Sequence, residues 1–340
     1  MSARSFVTRW WSGDAGAAGR VLDAALLPAE LGFRRIVAAR NRGFDRGEGV
    51  ETVGVPVISV GNIAVGGAGK TPFAAWLVAR LREMGRTPGI ALRGYGEDEV
   101  LLHRELNPAV TVAAAARRIE AARELAAAGC DVIVLDDGFQ HRRLARDLDL
   151  VLVAAETWRR TPRLLPRGPW REDVTALARA DALVVTRKSA SPERAREVGR
   201  EAADLAPGKP IVLCHLAADR LTALHGRESM PLESLAGRGV LAVAALASPE
   251  PFFAALRAVG AAVEEAAYAD HHPFTAADAR RIEARAAGRT IVMTRKDEVK
   301  LRPLLGPSAD AVVLEQAVRV EAGGDALEAA LRRALEAKTR

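Results

Sequence analysis

Aromatic side chains are scarce in this chain: Phe, Trp and Tyr together make up 4% of its 340 residues. Proteins that hold single-stranded nucleic acid stack its bases on aromatic platforms. This composition, with no RNP-like or zinc-finger pattern, therefore argues against nucleic acid as a partner. Cysteine is scarcer still. Cys130 and Cys214 are the 2 present; they stand far apart in apolar surroundings and make neither a metal-ligand spacing nor a disulfide framework. Both are expected as buried thiols of a reducing compartment. No apolar run reaches the ~18 residues that a membrane-spanning helix needs. The first residues also lack the apolar core and cleavage site of a signal peptide, and a cytoplasmic location is the resulting expectation.

What is present is charge and apolar bulk. Lysine and arginine number 49 against 43 acidic residues, a net charge of +6, and most of the cations are arginine. Such a balance suits phosphate-bearing partners, whether nucleotide, nucleic acid or anionic lipid, without choosing among them. With 49% apolar content over 340 residues, the chain has material for two domains with real cores. Residues 4–42 interleave Phe6, Trp10, Trp11, Leu22, Leu26, Leu27, Leu31, Phe33 and Ile36 with Arg4, Arg9, Arg20, Arg34, Arg35, Arg40 and Arg42. That mixture fits an amphipathic segment lying on an anionic membrane surface. It fits equally a helix pair docked on the protein's own core with its arginines in solvent. Residues 1–42 are read as an amphipathic, membrane-associating part of the first domain, 43–220 as its body, and 221–340 as a smaller α/β domain with linker strands and a C-terminal helix.

Apolar runs of strand length alternate with helix-like stretches along the rest. Strands are expected at 55–60, 88–92, 131–135, 148–154, 182–186 and 211–214, and helices at 73–84 and 113–128. A second βα series follows in segments 239–245, 252–259, 261–267, 276–287 and 290–294, while 215–236 and 304–322 are read as crossings between the two units. This alternation predicts an α/β fold, a mostly parallel sheet covered on both faces, with a second, smaller α/β unit joined by a short β linker.

The most specific stretch is Gly61-Asn62-Ile63-Ala64-Val65-Gly66-Gly67-Ala68-Gly69-Lys70-Thr71-Pro72, between the 55–60 run and a helix. Gly66, Gly67 and Gly69 let the backbone curl so that N–H groups point at a polyphosphate, and the following helix adds its positive N-terminal end. With Ala68, Lys70, Thr71 and Pro72 they form a P-loop NTPase-like nucleotide site, in which Lys70 reaches the β- and γ-phosphates and Thr71 ligates Mg²⁺. The strict pattern has a glycine six residues before the lysine, where this chain has Ala64. An apolar strand ending in aspartate is the second half of such a site. Asp136 and Asp137 close the 131–135 run and hold Mg²⁺ directly or through water; adjacent carboxylates there can also simply cap the next element.

In their order along nearly the whole chain, these segments resemble the tetraacyldisaccharide 4′-kinase family, which phosphorylates the disaccharide precursor of lipid A. The resemblance rests on Val60-Gly61-Asn62-Ile63, on residues 66–72, on Arg93-Gly94-Tyr95 and on Asp136-Asp137-Gly138-Phe139-Gln140-His141. It continues in Leu164-Leu165-Pro166-Arg167-Gly168-Pro169-Trp170-Arg171-Glu172, in Asp270-His271-His272 and in Thr294-Arg295-Lys296-Asp297. It implies transfer of the ATP γ-phosphate to the 4′-hydroxyl of a tetraacyldisaccharide 1-phosphate, with ATP and Mg²⁺ as cofactors, by a peripheral protein on the cytoplasmic face of the inner membrane. It also implies a catalytic Asp and His, carried over to Asp98 and to His271 rather than His272. The Gly and Pro that flank the family's aspartate are absent from Glu97-Asp98-Glu99-Val100.

A sugar hydroxyl is a poor nucleophile until its proton is taken, and an imidazole oriented by a carboxylate can take it near neutral pH. Arg93, Arg118 and Arg171 are candidates to spread the charge of the transferring phosphoryl group, with Arg117 as well placed as Arg118. Lys296 and Asp297 would lie near the nucleotide, Glu172 would be a second acidic contact to the metal, and His141 would orient local backbone. By spacing, residues 294–297 also approach the [NT]-K-x-D base-reading element of GTPases. A P-loop GTPase or ATPase switch acting on a protein partner is therefore the alternative.

Overall fold

The computed structural model describes residues 3–94, 97–226 and 228–337; Tyr95 of the Arg93-Gly94-Tyr95 motif lies outside them. Two helices open the chain, α1 (Ala3–Ser12) and α2 (Gly16–Asp45). The first unit follows as β1 (Val57–Asn62), α3 (Lys70–Glu83), β2 (Pro88–Leu92), α4 (Glu97–Leu106), β3 (Thr111–Ala114), α5 (Arg118–Ala127), β4 (Val132–Asp136), β5 (Leu148–Ala154), β6 (Ala182–Arg187) and α6 (Pro192–Leu205). Strands β7 (Ile211–Ala223) and β8 (Ser229–Pro231) lead into β9 (Gly239–Ala244), α7 (Glu250–Ala258), β10 (Ala262–Ala267), α8 (Ala276–Ala286), β11 (Thr290–Thr294) and α9 (Arg295–Leu301). Strand β12 (Ala311–Ala322) and helix α10 (Gly324–Glu336) return to the first unit.

The strands join in a single sheet of order β10-β9-β11-β12-β7-β6-β5-β1-β4-β2-β3, with β8 added beside β7. Pairing is parallel through both units and antiparallel where β7 meets β12 and β8. This is the expected α/β architecture, with one difference in the linker. The linker expected to be short is built from a 13-residue and a 12-residue strand paired along most of their length. Their length is masked in the sequence because β7 alternates covered and wet positions over much of its run, and after Cys214 its apolar residues are broken up by His215, Asp219, Arg220 and Thr222. Residue 220, the expected end of the first domain, falls inside β7.

Two further elements differ from expectation. The helix expected over 113–128 splits into the short edge strand β3, parallel to β2, and α5, which starts only at Arg118. An alanine run has no periodicity to mark that break. Helix α4, where no element was expected, fills the gap after β2 and carries Asp98.

Strand β1 is buried at all six positions. On one face Ile58, Val60 and Leu150 pack under Phe73, Leu77 and Leu81 of α3 and under Leu327 and Leu331 of α10. The opposite face is closed by Ile119 and Leu125 of α5 over Ile133 and Leu135, and by Val198 and Ala202 of α6 over Val151 and Leu183. The second unit repeats the plan, with Phe253 and Leu256 of α7 on one face and Ile282 of α8 with Leu301 of α9 on the other. Burial on both faces turns the strands into continuous apolar runs, so most of them could be read from the sequence.

Helix α2 has 30 residues, a length of about 45 Å. One side is buried at Gly19, beside Trp10 of α1, at Glu30, which meets Leu164 and Arg167, and at Val37. The other leaves Val21, Leu27, Leu31 and Ile36 exposed, four of the six large apolar side chains exposed among the described residues. No helix among the described residues is long and apolar enough to cross a membrane.

Candidate active site

The carboxyl ends of β1 and β4 lie side by side in the middle of the first unit's strands, the edge where open α/β sheets bind ligands. Between β1 and α3 the chain forms the glycine loop. Gly69 is left-handed at φ 80°, and a Cβ there would lie 2.1 Å from Leu216 Cδ1 of β7, so both backbone and space require glycine. Ala64 stands where the strict pattern has glycine and makes an isolated antiparallel bridge with Trp170. Val65 N–H donates to Pro169 O at 2.6 Å and Arg171 N–H to Ile63 O at 2.8 Å. Segment 164–172 thus braces the loop from the front, and Glu30 of α2 braces that segment by accepting from Leu164 N–H at 2.8 Å and pairing with Arg167 at 2.9 Å.

Lys70 and Thr71 open α3 and face the two strand-end aspartates. Thr71 Oγ1 donates to Asp136 Oδ2 at 3.0 Å, while Lys70 Nζ donates to Asn62 Oδ1 at 3.1 Å and lies 3.7 Å from Asp137 Oδ1. Asp136 is nearly enclosed, and His103 of α4, fully buried, meets the same Oδ2 through Nε2 at 2.9 Å. Burial pushes the Asp136 carboxyl up, but His103, Lys70 and Thr71 outweigh it and hold it below the ordinary carboxylate range. Its Oδ1 has no hydrogen-bond partner among the described residues. Asp137 has φ 52°, one of three non-glycine residues with positive φ among those described. That turn hands both its oxygens to Arg171 Nη1, each at 2.9 Å.

Arg118 is buried and donates through Nη2 to Asp136 O at 3.1 Å; its Nε and Nη1 have no partner among the described residues. Burial pushes its pKa down to about 10, opposed by Asp137 and Asp136, so it stays charged at neutral pH. Arg117, equally placeable from the sequence, points elsewhere, to Glu51. Glu172 is not gathered with Thr71 and Asp136. Its oxygens are held by Arg179 at 2.9 Å and Asn41 at 2.7 Å, which tie α2 to the body of the protein.

Across the cleft, α4 presents Asp98 to the second unit. Asp98 Oδ2 lies 3.1 Å from His271 Nδ1 and 3.5 Å from Lys300 Nζ. His271 has φ 59°, again left-handed, and its Nε2 is 3.0 Å from Lys296 Nζ, which also donates to Asp270 Oδ1 at 3.0 Å. An ammonium can only donate, so Nε2 accepts and Nδ1–H faces the Asp98 carboxylate. Burial raises the Asp98 carboxyl, but His271 and Lys300 bring it below its usual range.

The 294–297 turn thus contributes Lys296 to this cluster, whereas Asp297 is fully buried. Its Oδ2 accepts from Thr294 Oγ1 at 2.6 Å and from Ala245 N–H at 3.2 Å. Burial keeps its pKa raised against those bonds. An enclosed carboxylate that fastens the start of α9 to the end of β9 is poorly placed to read a base, which does not favour the GTPase-like reading of the turn. Sequence reasoning missed His103 and Lys188. Neither sits in a recognisable motif, and their proximity to the loop comes from strand order and helix placement.

A loop that cradles phosphates, strand-end carboxylates beside it and an imidazole delivered from a second unit suit group transfer better than guanine-dependent switching. The class is that of the P-loop kinases. The family model for LpxK, tetraacyldisaccharide-1-P 4′-kinase, matches residues 22–100 and 96–336. A tetraacyldisaccharide 4′-kinase of Anaeromyxobacter dehalogenans is 41% identical over 96% of this chain and 94% of its own length. Another, from Xanthomonas axonopodis pv. citri, is 40% identical over 82% of each. The crystal structure of LpxK from Aquifex aeolicus in complex with ATP superposes with a TM-score of 0.75 at 29% identity, covering 92% of this chain and 99% of that one. The chain belongs to the tetraacyldisaccharide 4′-kinase family: it is a phosphotransferase of lipid A biosynthesis acting on a hydroxyl group, and the nucleotide-switch alternative is not favoured.

Proposed function

We propose that the chain transfers the γ-phosphate of ATP to the 4′-hydroxyl of a tetraacyldisaccharide 1-phosphate presented at a membrane surface, with His271 taking the hydroxyl proton. The observation that carries this reading is the line Asp98–His271–Lys296, with steps of 3.1 and 3.0 Å, reaching across the cleft from the phosphate loop. Asp98 fixes the tautomer and steadies the imidazolium that forms. Lys296 has two acceptors, Nε2 and Asp270. A move to Asp270 or to a phosphate frees Nε2 for the sugar hydroxyl. Lys70 and Arg118, whose two spare donors are buried, neutralise the γ-phosphoryl as charge builds.

The residues at the β4 end fit Mg²⁺. The unpartnered Oδ1 of Asp136 and the Thr71 hydroxyl are hard oxygen donors. When bound, the metal supplies positive charge to the β- and γ-phosphates. Asp137, held by Arg171, would act through water.

A cavity of about 280 Å³ lies between α2 and the turn after β4, lined by Arg40, Arg117, Gln140, His141, Arg142 and Arg143. Burial and neighbouring arginines push the His141 pKa down to about 4, so its imidazole is neutral at physiological pH. This basic cavity suits the anionic sugar phosphate. The apolar stripe on α2 suits lipid, lying in the interface rather than across it.

The test is to incubate the protein with Mg²⁺, γ-labelled ATP and detergent-dispersed disaccharide 1-phosphate, beside Lys70→Ala. Label should enter the lipid fraction with the wild type alone. Label found only as free phosphate would restore the nucleotide switch.

A further inference from the structure

The turn after β6 is built with more contacts than a surface connection needs. Glu156 Oε1 accepts the backbone N–H groups of Lys188, Ser189 and Ala190 at 2.5, 3.0 and 3.2 Å. Arg187 anchors on Glu321 of β12 and donates to Ala190 O at 3.3 Å. From this fixed turn two side chains reach the outer side of the phosphate loop. Thr186 Oγ1 donates to Ala68 O at 2.9 Å, and Lys188 Nζ donates to Gly67 O at 2.9 Å. A Cβ on Gly67 would stand 3.3 Å from that ammonium, so the close approach depends on glycine there.

A half-buried ammonium on a neutral carbonyl is only partly compensated. Burial drives the Lys188 pKa down; Glu156 opposes this, and both Lys70 and Lys296 push it down further. Lys70 and Lys188 thus both stand at the loop, with the charge of Lys296 near enough to act on Lys188. Lys70 and Lys296 each have a carboxylate close by, Asp137 and Asp270. The Glu156 oxygen nearest the turn is already shared among three N–H donors. Such an arrangement calls for a polyanion of several charges, held at a loop whose backbone already favours one.

We propose that Lys188 is a nucleotide-binding residue, whose ammonium makes a charge-assisted contact to the polyphosphate from the side of the loop opposite Asp136. It holds the nucleotide and takes no part in the transfer step. This rests on the ATP reading above and adds a residue to that site.

One charge-assisted hydrogen bond is worth roughly ten- to a hundredfold in affinity. Binding of a fluorescent ATP analogue, measured without lipid, should weaken at least about tenfold in Lys188→Ala. Affinity for AMP, which lacks the β- and γ-phosphates, should not change. KM for ATP should rise in proportion, with kcat within about threefold and KM for lipid unaltered; Lys188→Arg should recover most of the loss. Thr186→Val, which removes the other brace without removing charge, should weaken ATP and AMP alike. If Lys188→Ala loses ATP and AMP equally, with or without a lower Tm, or leaves ATP affinity within about twofold, the proposal is overturned. Because the binding measurement needs no glycolipid, failure of the lipid-kinase reading would leave this result standing by itself.

Discussion

At the level of single residues, backbone strain and chemistry coincide. Of the three non-glycine residues with positive φ among those described, Ala287 ends a helix, Asp137 follows β4 beside the glycine loop, and His271 meets Asp98 of the first unit. Strain of this kind persists where surrounding contacts over-determine it. Arg171 and Lys70 hold Asp137; Asp98, Lys296 and the bond from His271 N–H to Ala245 O hold His271. His271→Ala should lower kcat by about two to four orders of magnitude, the usual worth of a general base, while leaving ATP affinity unchanged; a variant that mainly weakens ATP binding would assign His271 to the nucleotide instead. Asp98 gives a pH signature. Its carboxyl is lowered in the folded protein, so its contribution to stability is complete above the ordinary carboxylate range and is lost as pH falls through the lowered native value. The Tm difference between wild type and Asp98→Asn should therefore be constant from pH 6 to 8 and close only below about pH 4, where carboxylates protonate. A difference that shrinks between pH 8 and 6 would mean another group controls it.

These residues also mark how far the sequence could be read. Lys70, Thr71, Asp136, Asp98 and His271 stood out because loop or family spacing singles them out. His103 and Lys188 carry no such spacing: an internal helix and a strand two positions away from β1 bring them to the loop. Glu172 and Asp297 look like site residues in the sequence; in the structure Glu172 is held by Arg179 and Asn41, and Asp297 gives its Oδ2 to Thr294 and a backbone amide while its buried Oδ1 has no partner among the described residues.

Among the elements, α2 is docked on the body of the protein, and its membrane contact is a proposal that rests on its outer side. Its inner side is pinned by Glu30 and by Asn41, and its outer side stays apolar. The inner contacts run through segment 164–172 to the front of the phosphate loop, so removing residues 1–36 would also strip Arg167 and Leu164 N–H of their carboxylate. Breaking a buried pair in that way costs roughly 3–5 kcal/mol, and a truncation would confuse folding with membrane binding. Surface substitutions separate the two. Leu27→Ser, Leu31→Gln and Ile36→Gln together should raise KM for vesicle-borne glycolipid by about tenfold or more, with KM for ATP and Tm little changed. The estimate follows from about 25 cal/mol per Å² of apolar surface kept from water. Equal effects on lipid and ATP would show that the stripe supports the fold and not the membrane contact.

For the whole molecule, the two units that carry the halves of the proposed catalytic pair share one sheet. Asp98 comes from the first unit and His271 from the second, so completing the site is a matter of how those units are held. Two joints hold them. One is the β7–β12 pair, whose register shifts between Leu314 and Gln316 and again between Val320 and Ala322. The other is α4, which touches both sides: His103 grips Asp136, Asp98 meets His271 and Lys300, and Glu105 lies 3.7 Å from Arg302. Closure around nucleotide and sugar would exclude water that would otherwise accept the phosphate. A long antiparallel pair resists shearing because every ladder bond would have to break, whereas it can bend at a bulge. Hydrogen exchange should therefore respond unevenly to a non-hydrolysable ATP analogue with glycolipid. Amides of 97–106, 270–272 and 295–301 should slow by about tenfold or more, while those of β7 and β12 stay as slow as in the free protein, apart from the residues beside the shift at 314–316. If the whole β7–β12 ladder changed its exchange together with α4, the units would be moving by unpairing the linker, and α4 would be following that motion instead of closing the site.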